Sequence, residues 1–163
     1  MEIYYGNLEI ISTPEVRISN RTLDYGNGFY TTTSYDQAEK WVLRHKKDKE
    51  KPNKGYVNVY EIDIELVKED KNTLWFDKAT EEWVDFVYSN RNDKQFIHNY
   101  NFVYGPVAND KVYAAFSLFE SGFIDKQTLI KELRTYTLVD QLLFHTPESL
   151  SKLVFKEAKE ILS

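Results

Sequence analysis

This 163-residue chain contains no cysteine, which removes disulfides, thiolate nucleophiles and sulfur-ligated metals together and fits a reducing compartment. Its three histidines, His45, His98 and His145, stand far apart and lack the spacing of a local metal motif. No metal site is expected. The longest apolar runs are much too short to cross a bilayer, and the N-terminus does not resemble a signal peptide. The expectation is a soluble, cytoplasmic protein with no membrane partner. Repeats, linkers and low-complexity tracts are also missing, so residues 1–163 read as one domain, large enough to bury most of its unfolded surface.

A surplus of positive charge is lacking too. The formal net charge of −5 argues against a general affinity for nucleic-acid phosphates, although a local basic patch could still hold one. The basic run from His45 to Lys54 is diluted by its own acids and reads as a solvated helix end. Aromatics, by contrast, are plentiful: 12 tyrosines, 10 phenylalanines and 3 tryptophans imply a well-filled core with polar aromatic tips at its edge.

With only six glycines in the chain, two of them fall in Asp24-Tyr-Gly-Asn-Gly-Phe-Tyr-Thr-Thr-Thr33. The segment reads as a glycine loop running into a strand. Gly26 and Gly28 allow positive φ and close approach of the backbone to a ligand, while Phe29 and Tyr30 begin a β-prone run. A tight turn that places Tyr30 in the core accounts for the same residues.

Residues 2–12 mix apolar and polar side chains in a strand-like way, closed by Pro14. Ser34 is an N-cap for a helix with Ala38, Trp41, Val42 and His45 on one face. Residues 56–64 alternate with period two and form the clearest strand. Residues 74–76 add a short strand, and Thr80 leads an amphipathic helix with Trp83, Phe86 and Val87. Another strand spans 101–107, and a helix over 110–121 stops at Gly122. Asp125 caps a further helix, residues 140–146 form a late strand, and Pro147 starts a last helix carrying Leu150, Leu153 and Val154. The order predicts an α+β domain over a mixed or antiparallel sheet.

Ile3-Tyr-Tyr-Gly-Asn7, Asn20-Arg21, the glycine segment, Gly105 to Tyr113 and Asp140 to Thr146 occur in an order that resembles the ADP-ribosyltransferase-like superfamily. More narrowly they resemble an uncharacterised bacterial branch with Asp-Phe-Gly-x-Gly-Phe-Tyr-Thr-Thr and Gly-Pro-Val-Ala-Asn-Asp-Lys-Val-Tyr motifs, and nearly the whole chain is covered. The resemblance implies a split mixed β-sheet with surrounding helices around an NAD cleft. It also implies a mono-ADP-ribosyltransferase whose acceptor is a protein, a small molecule or a specific nucleic acid. By analogy such a protein acts as a toxin or anti-phage effector with an antitoxin or regulatory partner.

The same resemblance maps the residues. Gly6 would hold the nicotinamide carboxamide through its backbone, and Tyr30 would pack on the nicotinamide, flanked by Phe29 and Thr31. The loop around Gly28 would shape the adenosine side, with Asp24 ordering the turn. Arg21 is either a partner of the NAD pyrophosphate or an exposed loop arginine. Asn109, with Asp110, either caps the helix that follows or faces the cleft. Gln141 stands where many members carry a catalytic glutamate; it can hold a ribose hydroxyl but cannot act as a general base. Tyr5 stands where relatives carry a histidine for the adenosine ribose, and Asn7 replaces a serine. These departures leave open an inactive nucleotide- or protein-binding module and an NAD glycohydrolase. His145 reads as a hydrogen-bonded structural histidine.

Overall fold

A computed structural model describes residues 1–18, 23–46, 54–107, 110–136 and 138–162. Asn20, Arg21, Asn109 and most of the basic run before Lys54 lie outside the described residues. In chain order the elements are β1 (Glu2–Asn7), β2 (Phe29–Thr32), α1 (Tyr35–His45), β3 (Tyr56–Glu61), α2 (Ile64–Glu69), β4 (Thr73–Trp75), α3 (Glu81–Asn92) and β5 (Phe102–Pro106). They continue with α4 (Asp110–Glu120), α5 (Lys126–Leu133), β6 (Asp140–Phe144), α6 (Pro147–Leu150) and β7 (Val154–Glu160). The fold is mixed α and β, as the element order predicts.

The seven strands form one sheet in the order β4-β5-β6-β2-β1-β3-β7. Only β4 and β5 run parallel; the other neighbours are antiparallel. The pairing is unevenly distributed. β1 pairs with β3 along all six of its residues, from Glu2 opposite Glu61 to Asn7 opposite Tyr56. On its other side β1 meets β2 in register at Tyr4 opposite Thr32, and no further ladder pair joins the two strands among the described residues. Two half-sheets, β4-β5-β6-β2 and β1-β3-β7, are therefore joined at a single register pair among the described residues, and the edges carrying Tyr5, Gly6 and Asn7 on one side and Phe29, Tyr30 and Thr31 on the other border an opening.

Period-two alternation explains how both faces are filled. On β5 and β6, Val103 and Leu143 join a core built with α3, α4 and α5 around Trp83, Phe116 and Leu129. Their neighbours Phe102, Tyr104, Leu142 and Phe144 face the opposite side with Ile3, Phe29 and Tyr60. A third cluster, Ala38, Val42, Val57, Val59 and Ile161, lies where α1 covers β1 and β3. That contact is intimate at Gly6, where a Cβ would stand 2.5 Å from the Ala38 carbonyl oxygen.

Helix starts follow the side chains expected of them. Ser34 accepts from the Gln37 N–H, Thr80 from that of Trp83, and Asp125 from that of Thr128, each satisfying an N-terminal amide. The differences from the sequence reading lie at strand ends. β1 stops at Asn7 rather than at residue 12, because the Asn7 carboxamide oxygen accepts the Glu9 N–H at 3.0 Å and turns the chain. β3 stops at Glu61, because Asp63 caps α2 and draws Ile64 into that helix. β6 stops at Phe144, since Thr146 caps α6 in a reciprocal capping box with Ser149. The last helix is a single turn, and Val154 begins an edge strand on β3 instead. Lys, Glu and Ala favour helix locally, but the vacant edge of β3 overrides that preference.

Candidate functional site

Two hollows flank the opening between β1 and β2, and both are walled by Tyr5 and Tyr30. The larger, about 390 Å³, is also lined by Asn7, Gly28 and Phe29 and by the segment carrying Ile10, Ile11, Ser12, Thr13, Glu15 and Arg17. The smaller, about 200 Å³, is lined by Tyr4, Gly6, Thr31, Thr32 and Gln141, with Gln37, Ala38 and Trp41 of α1 and Val107 above them. Of the residues singled out in the sequence, Tyr5, Gly6, Tyr30, Thr31 and Gln141 converge on the smaller hollow. Tyr5, Asn7, Gly28, Phe29 and Tyr30 line the larger.

Tyr30 is held at both ends. Its ring lies 6.5 Å from that of Tyr25 in a stacked arrangement. Its hydroxyl accepts the Tyr25 N–H at 3.0 Å and donates to the Gly26 carbonyl at 2.5 Å. Burial pushes the phenol well above its usual pKa, so it stays protonated and its role is that of a fixed wall. Tyr5 meets Phe29 edge to face at 4.7 Å, and its hydroxyl accepts from the Asn7 side-chain amide at 3.1 Å. The phenol of Tyr5 and the carboxamide of Asn7 thus form a bonded pair on the wall of the larger hollow.

Gln141 is buried, and its amide nitrogen lies 3.5 Å from the Pro106 carbonyl oxygen. The same carbonyl accepts the Tyr25 hydroxyl proton at 2.9 Å, and Trp83 Nε1–H donates to that hydroxyl at 2.8 Å. Tyr25 is therefore a hub: its hydroxyl reaches the carbonyl beside Gln141, and its backbone and ring position Tyr30. Burial drives the Tyr25 phenol far above its normal titration range.

Gly28 adopts φ +147°, and a Cβ there would meet the Phe144 carbonyl oxygen at 2.4 Å. Glycine is required at this point by the approach of the loop to β6. Two histidines distant in sequence secure the rest of the loop. His98 Nε2 bonds the Tyr25 carbonyl at 2.7 Å and His98 Nδ1 lies 3.2 Å from the Tyr100 N–H nitrogen. His145 places Nδ1 at 2.6 Å from the Asn27 carbonyl and Nε2 at 3.0 Å from that of His98. The two rings lie 4.0 Å apart. The reading of His145 as a hydrogen-bonded histidine matches these contacts, but its proximity to His98 was not legible from spacing. Among the described residues no group of His, Asp or Glu is arranged to hold a metal.

Asp24 sits away from both hollows. Its carboxylate lies 3.4 Å from Arg91 of α3, which also reaches Glu120 of α4 at 3.0 Å. Burial holds the Asp24 carboxyl above the usual range despite that partner. The side chain anchors the glycine loop to the helices and does not line the opening.

The sequence reading missed the outer wall. Asn58 of β3, completely buried, accepts the Ile11 N–H at 2.8 Å and donates to the Glu9 and Tyr5 carbonyls at 3.2 and 3.3 Å. Tyr60 donates to the Ile11 carbonyl at 2.7 Å. A polar residue at an inward position of the alternating run Val57-Asn-Val59 was the available signal. Trp41 was expected on the buried face of α1; it is 38 % exposed and stacks on His45 at 3.9 Å.

A family model described as a protein of unknown function, DUF3990, matches residues 1–155. The chain belongs to the DUF3990 family. No match was found among curated proteins. The DUF3990 match takes in both hollows and the first two residues of β7. No helix among the described residues is long and apolar enough to cross a membrane.

Proposed function

We propose that the opening between β1 and β2 binds NAD and that the protein is a mono-ADP-ribosyltransferase of the ADP-ribosyltransferase-like superfamily. What carries this reading is the convergence of Tyr5, Gly6, Tyr30 and Gln141, from three strands, on two hollows that meet at the gap in the sheet. Taken together, the hollows of about 390 and 200 Å³ fall within the range of about 300–1,000 Å³ common for small-molecule clefts. Nicotinamide occupies the smaller hollow, flat against Tyr30, whose face attracts a ring that carries positive charge before departure. Adenosine occupies the larger, between Tyr5, Phe29 and the segment held by Asn58.

In the transfer step the bond between ribose C1 and the nicotinamide nitrogen breaks, and nicotinamide leaves with the bonding electron pair. A nucleophilic acceptor, a protein or small molecule, forms the new bond to C1 and releases its proton to solvent. Gln141 orients a ribose hydroxyl by hydrogen bonding and takes no proton. That restriction, with Tyr5 bonded to Asn7, favours a second reading in which the cleft holds a nucleotide without turnover. Water as acceptor would make the same cleft an NAD glycohydrolase.

Incubation with NAD labelled on its adenylate phosphate, with and without cell lysate, separates these readings, with Tyr30→Ala as control. Transfer of label and nicotinamide release, both lost in the control, are expected. Nicotinamide without transfer indicates hydrolysis, and binding without either product indicates a non-catalytic module.

A further inference from the structure

The larger hollow is lined by a cation, Arg17, that is exposed and makes no ion pair with any described residue. Glu15 lines the same hollow without closing a salt bridge to it, although a free glutamate two residues away is the simplest partner an idle arginine could take. No other lysine or arginine lines either hollow among the described residues. The segment that leads to Arg17 is also tied down from below: Asn58 and Tyr60, both fully buried, hydrogen-bond the backbone of Glu9 and Ile11, Asn58 also reaching the Tyr5 carbonyl. Buried polar groups are costly unless paired, so anchoring a surface segment this way fixes its course along the hollow. Ser12 and Thr13 add two hydroxyl groups beside it.

We propose that Arg17 is a phosphate anchor of the cleft, pairing with the diphosphate of a nucleotide whose sugar and base lie between Tyr5, Phe29 and the segment from Ile10 to Thr13. This rests on the nucleotide reading of the cleft and assigns the charge recognition within it. Guanidinium matches phosphate oxygens in a two-pronged geometry and cannot lose its proton near neutral pH. The net charge of −5 makes one unneutralised cation in a hollow the point to which a diphosphate is drawn. Glu15, facing the same space, opposes a ligand with further phosphates, so the site takes a nucleoside diphosphate unit in preference to a triphosphate.

Calorimetric titration with ADP-ribose and with adenosine tests this in wild type, Arg17→Gln and Arg17→Lys, with thermal unfolding to show that each variant is folded. Arg17→Gln is expected to weaken ADP-ribose by roughly tenfold to a hundredfold, the range for a charged hydrogen-bonding partner. Adenosine should bind as before, and Arg17→Lys should restore part of the loss. The salt dependence of ADP-ribose binding should also flatten in Arg17→Gln. Unchanged ADP-ribose affinity in Arg17→Gln, with wild-type binding intact, overturns the anchor while leaving the nucleotide cleft standing. An equal loss of adenosine shows a packing role and also overturns it. Failure of wild type to bind either ligand overturns the nucleotide reading and the anchor together.

Discussion

Trp83 donates its indole N–H to the hydroxyl of Tyr25 at 2.8 Å, and both side chains are fully buried. That single bond couples the glycine loop to α3, and the same hydroxyl continues to the Pro106 carbonyl, which the Gln141 amide of the smaller hollow also approaches. Removing the hydroxyl leaves the buried Trp83 N–H without its partner and the Pro106 carbonyl with only the long contact from Gln141. Tyr25→Phe is expected to lower stability by about 1–3 kcal/mol, measured as a reduced urea midpoint at unchanged slope. A wild-type midpoint would show that water or rearrangement replaces the hydroxyl.

Gly6 gives a sharper test of geometry. A methyl group at this position meets the Ala38 carbonyl oxygen, which belongs to helix backbone and cannot swing aside. Gly6→Ala should cost about 1–3 kcal/mol, the range for overpacking a close contact, and should displace α1 from the smaller hollow. Thermal unfolding and NAD titration read the two effects. A fully stable variant with wild-type binding would mean that α1 shifts without consequence for the cleft.

Asn58→Leu keeps approximate side-chain size on β3 but deletes the bonds to Glu9, Ile11 and Tyr5. Hydrogen exchange at the Ile11 amide should accelerate strongly while amides of β5 and β6 stay protected. The global cost should be about 1–3 kcal/mol. Uniform acceleration across all strands would instead identify Asn58 as a general core residue.

His98 supplies a pH dependence whose sign is fixed by its surroundings. Burial, the largest cause, lowers its pKa from the ordinary 6.5, and the nearby His145 adds to that. The unfolded chain then takes up a proton that the folded ring resists. The folded state keeps its full stability above about pH 6.5 and loses it as pH falls through that value toward the depressed one. The groups facing His98 are Tyr25, Phe86, Tyr100 and His145, and none of them is a carboxylate. Urea midpoints across pH 5 to 8 should fall on the acid side in wild type, with a shallower fall in His98→Gln. Parallel slopes would remove His98 from the acid response.

Legibility from sequence followed the range of the interaction. Helix starts at Ser34, Thr80 and Asp125 are set within three residues, and all three were readable. The alternating run from Tyr56 was readable as a strand, but its end was not, because Asp63 serves α2. β7 was hidden for a different reason: its Lys-Glu-Ala-Lys-Glu composition suits a solvated helix, and only β3, about a hundred residues earlier in the chain, makes it a strand. At the site, Tyr5, Gly6, Tyr30 and Gln141 were reached through the resemblance of their motifs, and the fold places them around one opening. Arg17, Asn58 and Tyr25 were not singled out: nothing local distinguishes a loop arginine or a hub tyrosine from its neighbours, and the one signal for Asn58, a polar residue at an inward position of an alternating run, does not say what it would bond. Asp24 belongs to an ion-pair network that no spacing rule could have joined, with partners on α3 and α4.

The pairing of β7 with β3 also decides which strand edge the sheet exposes. Residues 154–160 cover the outer edge of β3, which stays open until β7 docks. Without β7, Tyr56, Asn58 and Tyr60 present an unpaired strand edge, the kind of surface that recruits other strands. The charges of Lys156, Glu157, Lys159 and Glu160 then cap the finished edge with side chains that discourage further addition. The half-sheet that walls the larger hollow thus depends on β7 to close an edge that would otherwise be aggregation-prone.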